Sequence, residues 1–150
     1  NKYLEYDCLL GSRFMKNSTL INYSKLRILG NLLFNFIFGL LVSKKLEDLG
    51  SGLNIFSAKF FQNETIMKMP NDLTFNYHLI LYISSKKISY NFFPISWKEE
   101  DQISNMRAIK QIFQLLKIIL NFIFFKKNFF MNKKCIGKMY KYNYIYRDKK

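Results

Sequence analysis

Metal ligands, thiols and acids are all scarce in this chain. The 150 residues contain one histidine and two cysteines. His78 alone cannot build a multi-histidine metal site. Cys8 and Cys135 stand far apart, with no CxxC or Cys/His spacing around them. They read as two free thiols of a reducing compartment, not as a disulfide framework or a zinc site. There is no phosphate-binding P-loop, no GxGxxG and no nucleophile elbow, and no Ser/His/Asp set is forced by spacing. No basic, then apolar, then small-residue leader opens the chain. It starts at Asn1 rather than Met, with residues 1–10 running straight into Gly11-Ser12-Arg13. That start reads as a fragment, or as a domain cut from a longer chain. No linker divides it, and no internal repeat is visible.

What is abundant is apolar and basic. Hydrophobic residues make up 49% and aromatics 18%, yet the formal net charge is +14. A disordered polycation would be poor in Phe and Ile, so a packed domain is expected. Residues 101–150 hold 12 Lys or Arg against 2 Asp or Glu, a net of +10, whereas residues 1–100 are near +4. A basic excess confined to the last third suits an anionic membrane surface or a nucleic acid. A coding bias towards Lys, Asn, Ile, Phe and Tyr is the alternative explanation of the same composition.

Residues 6–10 read as a buried strand leading into a loop, and residues 14–22 as that loop. Residues 26–42 form a helix in which Arg27, Asn31, Asn35 and Gly39 recur every four positions and share one stripe. Seventeen residues reach ~25 Å at helical rise. A membrane-spanning helix needs ~20 mostly apolar residues, and this one carries a charge and two amides. It is expected to lie in a membrane interface, or to pack in a groove with its polar stripe towards a ligand; an ordinary core helix is the alternative. Asp48-Leu49-Gly50-Ser51-Gly52 is a turn-rich break. Residues 54–61 open a short helix. Asn71-Asp72-Leu73-Thr74 caps another over residues 73–84, ending near Lys86 and Lys87. Residues 88–96 read as a strand that Pro94 confines to a sheet edge or end. Residues 106–125 form the second strong helix. Arg107, Lys110, Gln111, Gln114, Lys117 and Asn121 trace its polar side. It fits an anionic interface or a packed position equally.

Four short stretches occur in a fixed order: Gly11-Ser12-Arg13-Phe14; Asp48-Leu49-Gly50-Ser51-Gly52; Asn71-Asp72-Leu73-Thr74-Phe75; and Phe93-Pro94-Ile95-Ser96-Trp97, continuing to Asn105. With the Arg27 helix between the first two, the series resembles the C-terminal part of family 2 glycosyltransferases. The branch it is most similar to is that of the dolichol- and polyprenyl-phosphate sugar transferases. The resemblance spans roughly residues 6–125. It implies an α/β fold, the C-terminal half of a Rossmann-like nucleotide-diphospho-sugar transferase (GT-A) domain, with amphipathic membrane-interface helices. Residues 126–150 would be a basic, aromatic-rich tail.

By the same resemblance, Arg13 and Arg27 face the acceptor, since a guanidinium holds two phosphate oxygens at once. Asp48, Ser51 and Gly52 line the sugar pocket. Asp72 falls at the position of the catalytic base of many family members. A phosphate acceptor hardly needs a base, and Asp72 is then a helix cap. The chain departs from the lipid-phosphate branch at Glu99-Glu100-Asp101 and at Ser104-Asn105, where that branch shows an arginine and then Gly-x-Ser-Lys. Three adjacent carboxylates repel a phosphate unless a metal or a lysine such as Lys98 offsets them. The Mg²⁺ or Mn²⁺ expected of the intact enzyme would be held by an Asp-x-Asp that is not among these residues. The fragment alone should then be inactive.

The expected activity of the intact parent is sugar transfer from a nucleotide-diphosphate sugar to a lipid-linked or glycan acceptor. It would work at the cytoplasmic face of a membrane, held peripherally or interfacially on anionic lipid, with no nucleic acid as partner. The rival expectation is a non-enzymatic small basic membrane-associated protein.

Overall fold

A computed structural model describes residues 5–61, 63–99, 108–126 and 129–130. Its architecture is mixed α/β, with a three-stranded mixed sheet, a separate two-stranded pair and helices. The central strand is β1 (Cys8–Ser12). It pairs antiparallel with β3 (Asn54–Phe56) and parallel with β4 (Tyr90–Pro94), in register from Cys8 opposite Tyr90 to Ser12 opposite Pro94. Cys8 and Leu10 point to one side and are fully buried, as the two-residue period of a strand requires. Burial pushes the Cys8 thiol up to about 12, with a smaller contribution from Asp7, so it is a packing group and not a nucleophile. Pro94 ends β4 on the sheet edge, where its missing amide proton breaks no ladder.

Residues 14–22, expected as loop, also contain a two-residue strand, β2 (Leu20–Ile21), parallel to β5 (Trp97–Lys98). Residues 54–61, expected to open a helix, first complete the sheet as β3 and only then turn into α2 (Ala58–Phe61). The short α3 (Glu64–Met67) follows, capped by the Asn63 side chain accepting from the Thr65 amide at 2.9 Å.

α1 (Lys25–Val42) and α4 (Phe75–Ser85) pack together through the rings of Phe38 and Tyr77, 4.9 Å apart. α4 is buried from Asn76 to Ile83 without interruption, as expected of a helix apolar on every side. Both helices stop in the same way. Ser43 and Lys87 adopt φ of 55°. The next amide in each case reaches back five residues, Lys44 to the Gly39 carbonyl at 3.0 Å and Ile88 to that of Ile83 at 2.9 Å. The chain leaving α1 therefore folds over Gly39, where a Cβ would lie 2.8 Å from the Lys44 carbonyl oxygen. Only glycine fits there.

α5 (Ala108–Phe124) packs inward through Leu115, Ile118, Ile119 and Phe122. Phe129 and Phe130, from the stretch assigned to the tail, join this core. Phe129 stacks on His78 with centroids 5.6 Å apart. Burial lowers the His78 pKa below its ordinary value, against the opposing pull of the Thr74 carbonyl and the Asp72 charge. The unfolded chain therefore binds a proton near pH ~6.5 that the folded one refuses. Stability present at neutral pH is lost as the pH falls through that range. Urea midpoints at about pH 7.5 and about pH 5.5 should drop further for the wild type than for His78→Gln. Equal drops would mean that His78 is protonated alike in both states.

Candidate functional site

The Gly11-Ser12-Arg13 and Asp48–Gly52 stretches meet at the carboxyl end of β1. Arg13 leaves the strand with its side chain buried (6% exposed) against a fully buried Asp48. Asp48 Oδ2 accepts from Arg13 Nε at 2.7 Å and from the Arg13 backbone amide at 3.0 Å. Oδ1 accepts from Arg13 Nη2 at 3.0 Å and from the Gly50 amide at 2.9 Å. Each carboxylate oxygen thus carries two hydrogen bonds, the normal acceptor capacity of the group. Arg13 Nη1 donates to the Tyr23 hydroxyl at 2.9 Å, and the guanidinium carbon sits 5.0 Å from the Tyr23 ring centroid. Burial by itself would lower the Arg13 pKa, but the hydrogen-bonded Asp48 carboxylate outweighs it and the net shift is upward. Arg13 therefore keeps its charge, and the hydrogen bonds of the pair close on one another.

Gly50 makes the close approach possible. A Cβ there would lie 2.4 Å from Asn31 Oδ1 and 2.8 Å from Arg13 Nη2. Ser51 ties the turn to the strand by donating to the Gly11 carbonyl at 2.6 Å. Gly52 holds φ of 73° with open space where a Cβ would project.

The polar stripe of α1 is turned inward onto this turn. Asn35 donates to the Glu47 carbonyl at 2.8 Å and accepts from the Leu49 amide at 3.0 Å. Asn31 donates to the Tyr23 hydroxyl at 3.2 Å and to the Arg27 carbonyl at 2.9 Å. Arg27 Nη1 donates to Glu99 Oε1 in a half-buried ion pair that clasps α1 to the end of β5. From the opposite side, Asn76 of α4 donates to the Leu49 carbonyl at 3.1 Å. Asp72 lies exposed before α4. Its Oδ1 accepts from the Thr74 amide at 2.8 Å and from the Thr74 hydroxyl at 2.5 Å, which closes the turn into the helix.

Of the residues singled out in the sequence, Arg13, Asp48 and Ser51 are thus brought into one hydrogen-bonded turn. Arg27 stands beside it, joined through Asn31 and Tyr23, while Asp72 is engaged at the start of α4. Tyr23 and Asn76 carried no sequence signal, and Asn31 was visible only as one position of the stripe. Glu100, Asp101, Ser104, Asn105, Arg107 and Cys135 lie outside the described residues.

Asp48 does not suit a divalent cation, because a guanidinium and two backbone amides already take its oxygens. No group of three or more His, Cys, Asp or Glu placed to hold a metal occurs among the described residues. The fold and turn define a mixed α/β domain with a buried Arg–Asp pair at the end of its central strand. No protein-family model, no curated protein and no solved structure matches the chain.

Proposed function

We propose that this chain is the acceptor-side part of a family 2 glycosyltransferase whose intact form moves a sugar from a nucleotide-diphosphate sugar to a lipid-linked or glycan acceptor. The supporting observation is the convergence of Gly11-Ser12-Arg13 and Asp48–Gly52 at the carboxyl end of one strand, through bonds that span 35 and 40 residues of sequence, with Arg27 joined to them through Asn31 and Tyr23. In open α/β sheets that end is where ligands bind. In this reading Asp48 acts through Arg13 as a positioning residue, while the half-buried Arg27 is the cation within reach of an acceptor. Glu99 would yield Arg27 to the incoming anion. The GT-A fold of the whole, the peripheral hold of α5 on anionic lipid and the cytoplasmic-face location belong to the same proposal.

A second reading, a non-enzymatic basic membrane-associated protein, is favoured by two specific observations. The charged groups of the turn satisfy one another, and both long helices turn large apolar side chains outward. The natural full-length polypeptide containing this chain separates the two. Incubated with sugar nucleotides, Mg²⁺ or Mn²⁺ and polyprenyl phosphate, it should release nucleotide diphosphate and form glycolipid. Arg27→Ala should lower kcat/KM for the acceptor by about 10–100-fold, the worth of a charge-assisted hydrogen bond. Absence of release and transfer with every donor and acceptor tried would leave the second reading.

A further inference from the structure

We infer that the outward face of α1 is a docking surface for an anionic phospholipid bilayer, on which the helix lies flat with the Arg13–Asp48 turn held on its opposite side. The inference shares with the preceding section only the membrane location and is independent of its transfer chemistry.

α1 carries its apolar and polar sides the reverse way round from an ordinary surface helix. Its polar stripe packs inward, and Leu26, Leu29, Leu33, Phe36 and Leu40 project outward at 78%, 65%, 54%, 64% and 64% exposure. Their spacing puts them on one continuous stripe of three to four turns. Eighteen residues rise ~27 Å along that stripe. Scattered exposed leucines need no explanation, whereas a contiguous row of this length marks an interaction surface.

Charge decides between occupants. The helix contains no Asp or Glu, and cations stand at both of its ends, Lys25 before the stripe and Lys44 and Lys45 after it. Lys45 is 85% exposed, and its pairing with Glu47 at 3.0 Å leaves this end net positive. An apolar stripe bracketed by lysines matches acyl chains beneath anionic headgroups. A second copy of the chain laid antiparallel would instead bring lysines against lysines. An open groove of about 560 Å³ borders the stripe, lined by Leu32, Phe36, Leu40, Leu46, Lys44 and Lys45, with the Lys44 ammonium 4.8 Å from the centroid of the Tyr90 ring. Such a groove accepts a lipid chain with its phosphate near the exposed Lys45 ammonium.

α1 passes the length and composition test for crossing a membrane. Its inner side is nonetheless committed to the domain by the Arg27–Glu99 pair, both Asn35 hydrogen bonds and the Phe38–Tyr77 contact. Spanning would tear these apart or draw the turn into hydrocarbon, where unpaired polar groups are unstable. Lying flat keeps them all. The turn then stands one helix diameter, ~10–12 Å, above the bilayer, within reach of a lipid headgroup.

The test is flotation of the full chain with vesicles of phosphatidylcholine alone or with one-third phosphatidylglycerol. Wild type should float with the anionic vesicles, weaken in high salt and be released by alkaline carbonate. Leu33→Asp combined with Phe36→Asp should reduce the partition coefficient at least about tenfold with circular dichroism unchanged, because both side chains are already in solvent. Leu53→Asp combined with Leu73→Asp, exposed apolar side chains outside both long helices, gives the comparison for general loss of hydrophobicity. Unchanged binding of the α1 variant overturns the inference, as does carbonate-resistant insertion of the wild type. A wild-type dimer in sedimentation that the α1 variant abolishes would also overturn it, by assigning the face to a second copy. A protein that transfers sugar but does not float overturns this inference and leaves the transfer reading standing.

Discussion

Asp48→Asn is expected to destabilise the protein by about 3–5 kcal/mol, the usual result of stranding one partner of a buried ion pair. The amide keeps the shape of the carboxylate but leaves the Arg13 guanidinium, 6% exposed, without its counter-charge. It also presents an NH₂ where Arg13 or the Gly50 amide donates. Such a loss is a large fraction of the total stability of an ordinary domain, about 5–15 kcal/mol. Arg13→Met should cost a comparable amount. Arg13→Met combined with Asp48→Leu should recover much of either loss, because no charge is left buried alone. Urea denaturation of the wild type, Arg13→Met, Asp48→Leu and their combination at neutral pH closes the cycle and measures the coupling directly. A loss below about 1 kcal/mol for Asp48→Asn would place the pair among solvated surface bridges, and Arg13 would then be free to meet a ligand.

Phe38→Ala should cost about 3–5 kcal/mol, whereas Phe36→Ala, two residues earlier on the same helix, should change stability by less than about 0.5 kcal/mol. Phe38 is completely buried against Tyr77 and Phe36 is 64% exposed. The same chemical deletion therefore removes a packed ring in one case and a solvated one in the other. The contrast reports which side of α1 faces the domain, the point on which the docking surface depends. A larger loss for Phe36→Ala would mean that the helix is turned the other way. Loosening α1 would also release Asn35 from Glu47 and Leu49. Phe38→Ala should consequently weaken the turn that holds Asp48.

The four-residue recurrence of Arg27, Asn31, Asn35 and Gly39 sets a helix with one distinct stripe, because i and i+4 positions stack on one side. The helices at α4 and α5 follow from patterning in the same way, as does the edge position of the strand ending at Pro94. Periodicity is blind to direction. It says which residues share a side and not whether that side meets protein or solvent, since a polar stripe whose amides find backbone partners packs as well as an apolar one. Only the tertiary structure, by supplying the Glu47 carbonyl and the Leu49 amide, turned the amides inward and the leucines out. The same holds for Arg13 and Asp48. Their residue types announce ionic chemistry, but what each meets is fixed by chain reversal over 35 residues, and it is each other. The two-residue pairing of β2 with β5 is likewise invisible locally, because so short a strand has no period of its own and exists only where a distant partner is brought alongside.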